Sequence, residues 1–234
     1  MSDLQRQVGQ LPWYHVIELP GGVVTPGRDD PRDRLPLLEI PDDLSGMSVL
    51  DVGAWDGFFS FECERRGAAR VVAADWFAWR EAAHGSKSSF ELARSALGSR
   101  VEDVEIRVED LAPERVGTFD LVLFLGVLYH VRNPLQALDA VASVTAGRLV
   151  LETHVDLALR RRAAAAFYPG TELEDDHTNW WGPNPAAVAG MLRAAGFGDV
   201  TQVFPRSRAY EWARALRRRS QQGRAVFHAR MLRA

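Results

Sequence analysis

From residue 48 onward, short apolar runs alternate with segments in which apolar residues recur at helical spacing. This alternation is typical of an α/β fold, in which helices cover both faces of a mostly parallel sheet. The run FDLVLFLGVLYHV, which starts at Phe119, is apolar enough to fit only the middle of such a sheet. The pattern predicts seven strands: Ser48–Val52, Arg70–Ala74, Val104–Val108, Leu121–Phe124, Arg148–Glu152, Val200–Phe204 and Ala225–Arg230.

Helix boundaries are marked by residues with known capping preferences. The pairs Asn133-Pro134 and Asn184-Pro185 each offer an N-cap side chain followed by a proline in the first helical position. Gly67 and Gly196 follow helical patterns, so we expect each to end its helix in a left-handed conformation. These signals support the alternation of strands and helices.

Three segments do not follow the alternation and are predicted to carry specificity. Residues 1–47 are interpreted as an N-terminal lid or substrate segment, and residues 48–234 as the main domain. Within the main domain, substrate-loop insertions are expected at 155–184 and 206–224. No internal repeat is present, and the length favours a single domain.

Composition narrows the class of protein. Of the 234 residues, 47% are hydrophobic and 25% are charged, as in an ordinary globular domain. No apolar run approaches the roughly 20 residues that span a bilayer, and the N-terminus lacks a secretory pattern. We therefore expect a cytoplasmic protein without a membrane partner; the oligomeric state is left open. Cys63 lies within a predicted helix and is interpreted as a buried structural thiol.

The stretch DVGAWDG, from Asp51 to Gly57, stands between a predicted strand and a predicted helix. Gly53 would allow a sharp turn against a ligand, and Gly57 would let the helix start close to the sheet with its free N–H groups facing that ligand. A tight turn that binds nothing remains the alternative. The turn alone does not decide between them.

Two further features of the sequence favour a nucleotide site. Asp75 ends the next strand about 20 residues later, where an acid can accept the hydroxyl hydrogens of a ribose. Asp110 follows the third strand, next to an expected adenine pocket. Trp76 and Leu111 would form the walls of that pocket. Because the acid Asp51 suits an ammonium group and would repel a pyrophosphate, the features point to S-adenosylmethionine rather than to a dinucleotide.

The combination resembles class I S-adenosylmethionine-dependent methyltransferases over roughly residues 48 to 232. The resemblance implies a Rossmann-like sheet of seven strands that ends in an antiparallel hairpin. It also implies S-adenosyl-L-methionine as the cofactor, bound by a set of residues along the strand ends: Asp51, Gly53, Ala54, Trp55, Gly57, Asp75, Trp76, Asp110, Leu111, Leu125 and Tyr129.

Three motifs narrow the resemblance: WYHVIELPGGVVTPG from Trp13, LGVLYHVRNPLQAL from Leu125, and NWWGPN from Asn179. They are similar to the bacterial tRNA wobble-uridine alkyltransferases, which act on 5-hydroxyuridine, and to their relatives from biosynthetic clusters. Members that use a carboxylated cofactor are expected to bind its carboxylate with a lysine, a tyrosine and a C-terminal arginine. Tyr129 and Arg208 match, but His15 replaces the lysine, so the resemblance implies the plain cofactor and methyl transfer.

The catalytic base is expected where strands four and five end, because ligands bind at that edge of open α/β sheets. His130 is the first choice, and Glu152 and His154 follow. Each histidine could instead only hydrogen-bond backbone. Glu152 and His154 could also hold a divalent metal with the run Asp175-Asp176-His177, although that spacing is not diagnostic.

The substrate site is expected to use aromatic side chains that fall outside regular core patterns. These are Trp13 and Tyr14, with His15 beside them, and the pair Trp180 and Trp181; Arg208 completes the predicted set. Packing of one tryptophan of each pair is the alternative.

The leading hypothesis is O-methylation of a small molecule, such as a sugar or another hydroxylated natural-product intermediate. A tRNA wobble-uridine methyltransferase is the second. It is disfavoured because the segment from Arg206 onward, with nine arginines and one acid, leaves a charge of about −11 on the preceding residues. Such a charge repels a polyanion, and only about 47 residues precede the first sheet strand. A C-methyltransferase with a metal-held anionic substrate and a non-catalytic cofactor-binding partner protein remain as further alternatives.

Overall fold

The computed structural model describes residues 2–81, 86–207, 210, 213, 216 and 220–231. Within these residues the chain forms seven α-helices and eleven strands. The helices are α1 Asp3–Val8, α2 Leu35–Leu38, α3 Phe58–Arg65, α4 Lys87–Leu97, α5 Pro113–Val116, α6 Pro134–Ser143 and α7 Pro185–Ala194. The strands are β1 Glu18–Leu19, β2 Val23–Val24, β3 Ser48–Val52, β4 Arg70–Asp75, β5 Glu102–Glu105, β6 Phe119–Leu125, β7 Thr145–Val155, β8 Ala165–Phe167, β9 Trp181–Pro183, β10 Phe197–Phe204 and β11 Gly223–Met231.

The central sheet has the strand order β10-β11-β7-β6-β3-β4-β5. Strands β3 to β7 pair in parallel, whereas β11 is antiparallel to both β7 and β10. The predicted fold class, a seven-stranded mostly parallel sheet with a C-terminal antiparallel hairpin, is therefore confirmed. β6 lies in the middle of the sheet and is buried over most of its length, as its apolar run predicts.

Two hydrophobic clusters cover the two faces of this sheet. On one face α6 and α7 contribute Leu138, Val141, Val188 and Leu192. The other face is covered by α3, α4 and the segment before β3, so that residues 1–47 are packed onto the sheet rather than separate from it. The small β1–β2 pair belongs to this segment. The cover on both faces buries the central parallel strands β3, β4, β6 and β7 over most of their length, which is why they read as apolar runs.

Some predicted boundaries were wrong by a few residues. β5 starts at Glu102 rather than Val104, because its exposed edge position does not require an apolar run. Gly223 and Arg224 belong to β11 rather than to the predicted insertion 206–224. Asn133 makes no side-chain cap hydrogen bond, whereas Asn184 caps α7 by accepting from the N–H of Ala187, 2.8 Å away. Gly67 and Gly196 have the expected positive φ, of +87° and +100°.

Candidate active site

The central strands leave a crevice where the chain order reverses. From β3 the chain moves outward through β4 and β5 and then returns to β6 on the other side of β3. Ligands of open α/β sheets bind at the carboxyl ends of the strands at such a switch point. The turns after β3 and β6, which contain Gly53 and Gly126, therefore border the candidate site.

Both turns require glycine. Gly53 has φ +81°, and a Cβ atom there would lie 2.4 Å from Cγ2 of Val127. Gly126 has φ +74°, and a Cβ atom there would lie 3.3 Å from Nη2 of Arg224. The two turns are thus packed so closely that side chains are excluded where backbone lines the crevice. The buried Ala54 continues the first turn, and its N–H, like that of Gly53, faces the carbonyl of Ala74.

Asp51 is buried beneath this turn. Its carboxylate accepts a hydrogen bond of 2.6 Å from the hydroxyl of Ser60 in α3. Burial, together with nearby Asp75, raises the pKa of Asp51 to about 7. Asp51 therefore ties the strand to the helix, and the ammonium contact that the sequence suggests stays a prediction.

Asp75, at the end of β4, faces the same turn. Its two carboxylate oxygens accept N–H groups of Trp55 and Ala78, both at 2.9 Å. Burial raises the pKa of Asp75 to about 6, against the lowering effect of these backbone donors. Backbone N–H groups of Trp76 and Trp79 also contribute to this lowering. The backbone donors thus fix the orientation of Asp75, and its contact with ribose hydroxyl groups stays a prediction.

Trp55 connects the turn to the N-terminal segment. Its backbone has φ +50°, and its carbonyl accepts the indole N–H of Trp79 at 2.7 Å. Its ring stacks on Tyr14 with centroids 4.4 Å apart. The indole nitrogen of Trp55 is buried without a hydrogen-bond partner among the described residues. A buried donor of this kind is expected to have a partner, and a polar group bound in the crevice would supply one.

Asp56, which the sequence reasoning did not select, fastens the N-terminal segment to the turn. Its buried carboxylate accepts the backbone N–H groups of Tyr14 and His15, both at 2.7 Å. The hydroxyl of Ser89 adds a third hydrogen bond. Burial raises the pKa of Asp56 to about 6. The only signal in the sequence is that an acid precedes Gly57 within the turn.

Two of the predicted substrate residues in this segment are buried, in agreement with the packing alternative for Trp13. Trp13 is a core residue: it is 8% exposed and its indole N–H donates to the carbonyl of Val8. His15 is 5% exposed, and burial lowers its pKa to about 3. His15 is therefore neutral near pH 7 and does not replace the positive charge of a lysine. Tyr14 remains half-buried beside the crevice.

The other predicted cofactor residues lie along the same edge. Gly57 has φ +87° and starts α3, and a Cβ atom there would collide with the stacked rings of Phe61 and Phe90. Farther out, Trp76 is half-buried and donates its indole N–H to Glu81. Leu111 is buried, the side chain of Asp110 is 53% exposed, and Leu125 ends β6 in a half-buried position.

A second polar cluster lies beyond the Gly126 turn. The guanidinium of Arg224 pairs with both carboxylate oxygens of Glu152, and its Nη1 donates to the hydroxyl of Tyr129 at 2.8 Å. Burial lowers the pKa of Arg224, but Glu152 and Tyr129 raise it by more. The three side chains form what we call the arginine network. Because both oxygens of Glu152 are held by Arg224, its predicted use as the base is not supported.

Arg224 itself was missed by sequence reasoning, which placed it in an insertion and chose Arg208. Arg208 lies outside the described residues. The sequence offers a weak signal: an arginine stands directly before the apolar run of β11. Only the pairing of β11 with β7 shows that it meets Glu152.

His130 lies next to the network, in a short helical turn after β6. Its Nδ1 is 3.1 Å from the carbonyl oxygen and 3.0 Å from the hydroxyl of Thr178. A carbonyl only accepts, so Nδ1 carries the proton and Nε2 keeps a lone pair. The hydroxyl of Thr178 donates to Asp176 at 2.7 Å. Burial lowers the pKa of His130, which keeps it neutral and able to take a proton.

His154 belongs to a separate cluster. Its Nε2 lies 3.2 Å from the hydroxyl of Tyr168, which in turn donates to Asp156 at 2.8 Å. A Cβ atom on Gly182 would lie 2.3 Å from that hydroxyl, so glycine is required for Tyr168 to reach β7. We interpret this cluster as the anchor of the β8–β9 hairpin, and the predicted catalytic role of His154 stays untested.

The β8–β9 hairpin presents an aromatic surface made of Phe167, Trp180 and Trp181. The ring of Trp180 stacks with the ring of Phe167. The guanidinium of Arg132 lies 4.3 Å from the centroid of the Trp180 ring. The backbone N–H of Trp180 donates to the carbonyl of Tyr129, which places this surface beside His130. Phe167 is 54% exposed. In the described part of the chain, no group of three His, Cys, Asp or Glu side chains could hold a metal ion.

Comparison with known proteins agrees with this geometry. The sequence model of the family described as "Methyltransferase domain" matches residues 28–202. A tRNA U34 carboxymethyltransferase of Pseudomonas aeruginosa is 31% identical over 182 residues, covering 74% of this chain and 53% of that protein. The chain thus spans about half the length of the curated relatives it matches.

Two solved structures share the fold. The N-terminal domain of EvdMO1, crystallised in the presence of S-adenosylhomocysteine (SAH) and D-fucose, has a TM-score of 0.72 and 23% identity, with 99% of this chain and 98% of that chain covered. The 1,6-didemethyltoxoflavin-N1-methyltransferase of Burkholderia thailandensis has a TM-score of 0.55 and 21% identity, with 87% and 80% covered.

The fold and the switch-point site define the class predicted from the sequence, a class I S-adenosylmethionine-dependent methyltransferase. The match over more than half of its length shows that the chain belongs to the methyltransferase-domain family. Among the described residues, no helix is long and apolar enough to span a membrane.

Proposed function

We propose that the protein transfers the methyl group of S-adenosylmethionine to a hydroxyl group of a small molecule, and that His130 takes the hydroxyl proton. The observation that carries this proposal is the position of Nδ1 of His130, 3.1 Å from the carbonyl oxygen of Thr178, from which we infer the tautomer. Since Nδ1–H is committed to Thr178, Nε2 is left as a proton acceptor at the strand edge where ligands bind.

The crevice between the two turns fits the nucleoside part of this cofactor. The glycine backbone allows close approach, Asp75 offers a fixed carboxylate for the ribose, and the orphaned indole N–H of Trp55 needs an acceptor. When bound, the cofactor supplies an electrophilic methyl group. The chain then has to orient the acceptor, exclude water and accept one proton.

Thr178 and Asp176, which lie next to His130, support its role as the proton acceptor. Once Nε2 takes the hydroxyl proton, the imidazolium keeps its Nδ1–H bond to Thr178. Asp176, whose carboxylate accepts from the Thr178 hydroxyl, lies close enough to favour the positive charge. The carbonyl of Thr178 also holds the ring in one orientation, so Nε2 does not exchange roles with Nδ1.

The aromatic surface supports a small-molecule acceptor. Aromatic rings stack on sugars or planar rings, and the guanidinium of Arg132 adds donors at its edge. The EvdMO1 domain, whose fold matches along nearly the whole chain, was crystallised with D-fucose present. A deoxysugar is therefore a suitable first probe of the acceptor.

The proposal is tested by incubating the purified protein with methyl-labelled S-adenosylmethionine and separate pools of deoxysugars, phenols and bulk tRNA. We expect label in a deoxysugar or another hydroxylated small molecule, as an alkali-stable O-methyl ether. Transfer into tRNA alone would contradict the small-molecule proposal. Absence of transfer to every pool by His130→Ala, with transfer retained by the wild type, would exclude the non-catalytic alternative.

A second candidate, methylation of a tRNA wobble uridine, is favoured by the 31% identity to the tRNA enzyme of Pseudomonas aeruginosa and by the presence of Tyr129. The neutral, buried His15 argues against a carboxylated cofactor. Mass spectrometry of cofactor that copurifies with the protein tests whether that cofactor is carboxylated, because a carboxylate on the transferred carbon adds a defined mass. The tRNA pool in the label-transfer experiment tests the acceptor.

A further inference from the structure

A second cavity, of about 360 Å³, lies on β7, β10 and β11 away from the switch point. It borders the N-terminal segment through Glu39 and is lined by residues that are mostly charged or polar: Glu39, Arg148, Asp199, Thr201, Val203, His228 and Arg230. None of these residues contributes to the site described above.

Two arginines face each other across this cavity. Arg148 on β7 and Arg230 on β11 are direct partners in the antiparallel register. Like charges at directly opposite positions destabilise a strand pair. Within the residues that the structure describes, neither guanidinium forms an ion pair with a carboxylate. The pair therefore places two positive charges on neighbouring strands, and neither is held in an ion pair among the described residues.

The other charged groups of the cavity do not fully cancel the positive charge of the two arginines. Glu39 is already paired with Arg206. Asp199 lies opposite Arg230 in the β10–β11 register but forms no ion pair with it among the described residues. His228 donates from Nε2 to the carbonyl of Leu38 at 2.8 Å, and burial lowers its pKa, so it carries no charge near pH 7.

Burial and the neighbouring Arg230 also lower the pKa of the Arg148 guanidinium, against the raising effect of Asp199. The direction agrees with the geometry, because Arg148 is partly buried beside a second cation and forms no ion pair with a carboxylate among the described residues. A bound anion would counteract the lowering of the Arg148 pKa by burial and by Arg230.

The cavity is distinct from the arginine network. Arg148 precedes Glu152 on β7 by four residues, and His228 follows Arg224 on β11 by four residues. At the rise of a strand this places the two sites about 13 Å apart along the sheet. A ligand of the cavity would thus not occupy the methyl-transfer site.

We propose that this cavity binds a phosphate-type oxyanion, either free or as the phosphate group of a small metabolite, between Arg148 and Arg230. Two guanidinium groups can each present paired N–H donors to the oxygens of such an anion, and the hydroxyl of Thr201 lies in the same lining. The volume accommodates the anion together with part of a small organic substituent.

The test is calorimetric titration of the full chain with inorganic phosphate, against chloride and acetate at equal ionic strength. We expect the wild type to bind phosphate with a Kd of about 1 mM and acetate more weakly, because phosphate has more negative charge and more acceptor oxygens than acetate. Arg148→Gln with Arg230→Gln should weaken phosphate binding at least about tenfold. Arg193→Gln, which removes an exposed arginine from α7, is the matched control and should bind as the wild type does.

Asp199→Asn gives an independent readout, since removing a competing anion should tighten phosphate binding about threefold. The proposal is overturned if the wild type shows no phosphate binding, if the double variant binds as tightly as the wild type, or if acetate binds equally well. Titration of a phosphorylated sugar in place of phosphate then distinguishes a site for free phosphate from a site for the phosphate group of a metabolite. A metabolite site should bind the ester more tightly than the free ion.

Discussion

The two sides of the candidate site are built in different ways. On the side of the turn, Asp51 and Asp75 are held by groups nine and 20 residues away in sequence. On the side of the arginine network, Arg224 reaches partners 72 and 95 residues away, and His130 a partner 48 residues away. Around Asp51 and Asp75 the turn side is thus a local unit of strand, turn and helix, which Asp56 in addition fastens to the N-terminal segment. The network side depends on how β11 and the hairpin assemble on β7.

This difference has a functional consequence. A local unit that cups a cofactor can stay unchanged while long-range contacts on the other side vary, because the two sets share few side chains. Loops and late strands of α/β folds are accordingly where specificity varies. The comparison predicts that changes on the network side alter catalysis and acceptor use, and that changes on the turn side alter cofactor binding and pH-dependent stability.

The largest effect is expected from His130→Ala. Removing a general base costs about 10²- to 10⁴-fold in rate, so kcat in the label-transfer assay should fall by this range while SAH affinity is unchanged. His177→Ala, an exposed histidine in the neighbouring loop, serves as the control and should retain wild-type kcat. A kcat within about threefold of the wild type for His130→Ala would assign the base elsewhere.

The pH profile refines this prediction. Because the pKa of His130 is lowered from its ordinary value of 6.5, the neutral base persists through neutral pH. We expect kcat/KM to stay constant near pH 7 and to fall only below about pH 6.5. A loss of activity that starts above pH 7 would contradict the assignment.

The next largest effect concerns the arginine network. Arg224→Met leaves the carboxylate of Glu152, which is 7% exposed as a side chain, without its partner. Breaking such a pair should cost about 2–3 kcal/mol of unfolding free energy, below the value for a fully buried pair because Arg224 is about one-third exposed. The measurement is urea unfolding of Arg224→Met, Glu152→Gln and the double variant.

The double variant provides the control for this experiment. If the pair is coupled as the structure shows, the double variant should be more stable than Arg224→Met, with a coupling energy of about 1 kcal/mol or more. Additivity within about 0.5 kcal/mol would mean that the two side chains do not interact in solution.

A smaller effect is expected on the turn side, where burial raises the pKa of Asp51 to about 7. The unfolded chain has the ordinary value of about 3.9, so between these values the folded state holds more protons than the unfolded one. Stability should therefore fall as pH rises from about 4 to 7. In Asp51→Asn this fall should be smaller by about 1 kcal/mol or more, measured by urea unfolding at several pH values.

Asp110→Asn is the matched control for the pH experiment, since Asp110 is half-exposed and outside the buried turn. Its stability should follow the wild-type curve. Asp56 and Asp75, whose pKa values are each raised to about 6, account for the slope that remains in Asp51→Asn. An unchanged slope in Asp51→Asn would show that its carboxylate is not buried as described.

The smallest effect is expected at the aromatic surface. Trp180→Ala removes one stacking ring worth about 0.5–1.5 kcal/mol, so KM for the acceptor should rise about three- to tenfold while kcat stays the same. Trp180→Phe should keep most of the affinity, and Leu97→Ala, at an exposed position of α4, should have no effect. An unchanged KM in Trp180→Ala would remove this surface from the acceptor site.

The difference between the two sides also explains what could be predicted from the sequence. Gly53 and Asp75 mark a strand, a turn and a second strand in order, and this order is visible in the sequence. The contact of Gly53 with Val127 is not visible there, because the two residues are distant along the chain. Asp56 was overlooked because its partners are the backbone N–H groups of Tyr14 and His15, about 40 residues earlier. For Trp13 the sequence left two alternatives, substrate contact and packing, and the structure places it in the core.

Arg224 could not be identified from the sequence alone. Its role follows from the antiparallel pairing of β11 with β7, which brings it to Glu152. The apolar run from Ala225 to Arg230 predicts a strand but does not fix its register against β7. A shift of the register by one residue would place Arg224 on the other face of the sheet. The orientation of His130 likewise depends on Thr178, which a loop of unpredictable shape brings close.

The most direct test of the central assignment is calorimetric titration with SAH of the wild type, Gly53→Ala and Gly98→Ala. Both glycines have positive φ, but only a Cβ atom on Gly53 meets a neighbour, Cγ2 of Val127, whereas Gly98 has nothing within 4 Å. We predict one binding site per chain in the wild type and in Gly98→Ala, and at least about tenfold weaker binding in Gly53→Ala. A folded wild type that releases or absorbs no heat, or a Gly53→Ala variant that binds as the wild type does, would contradict the assignment of this crevice to the cofactor.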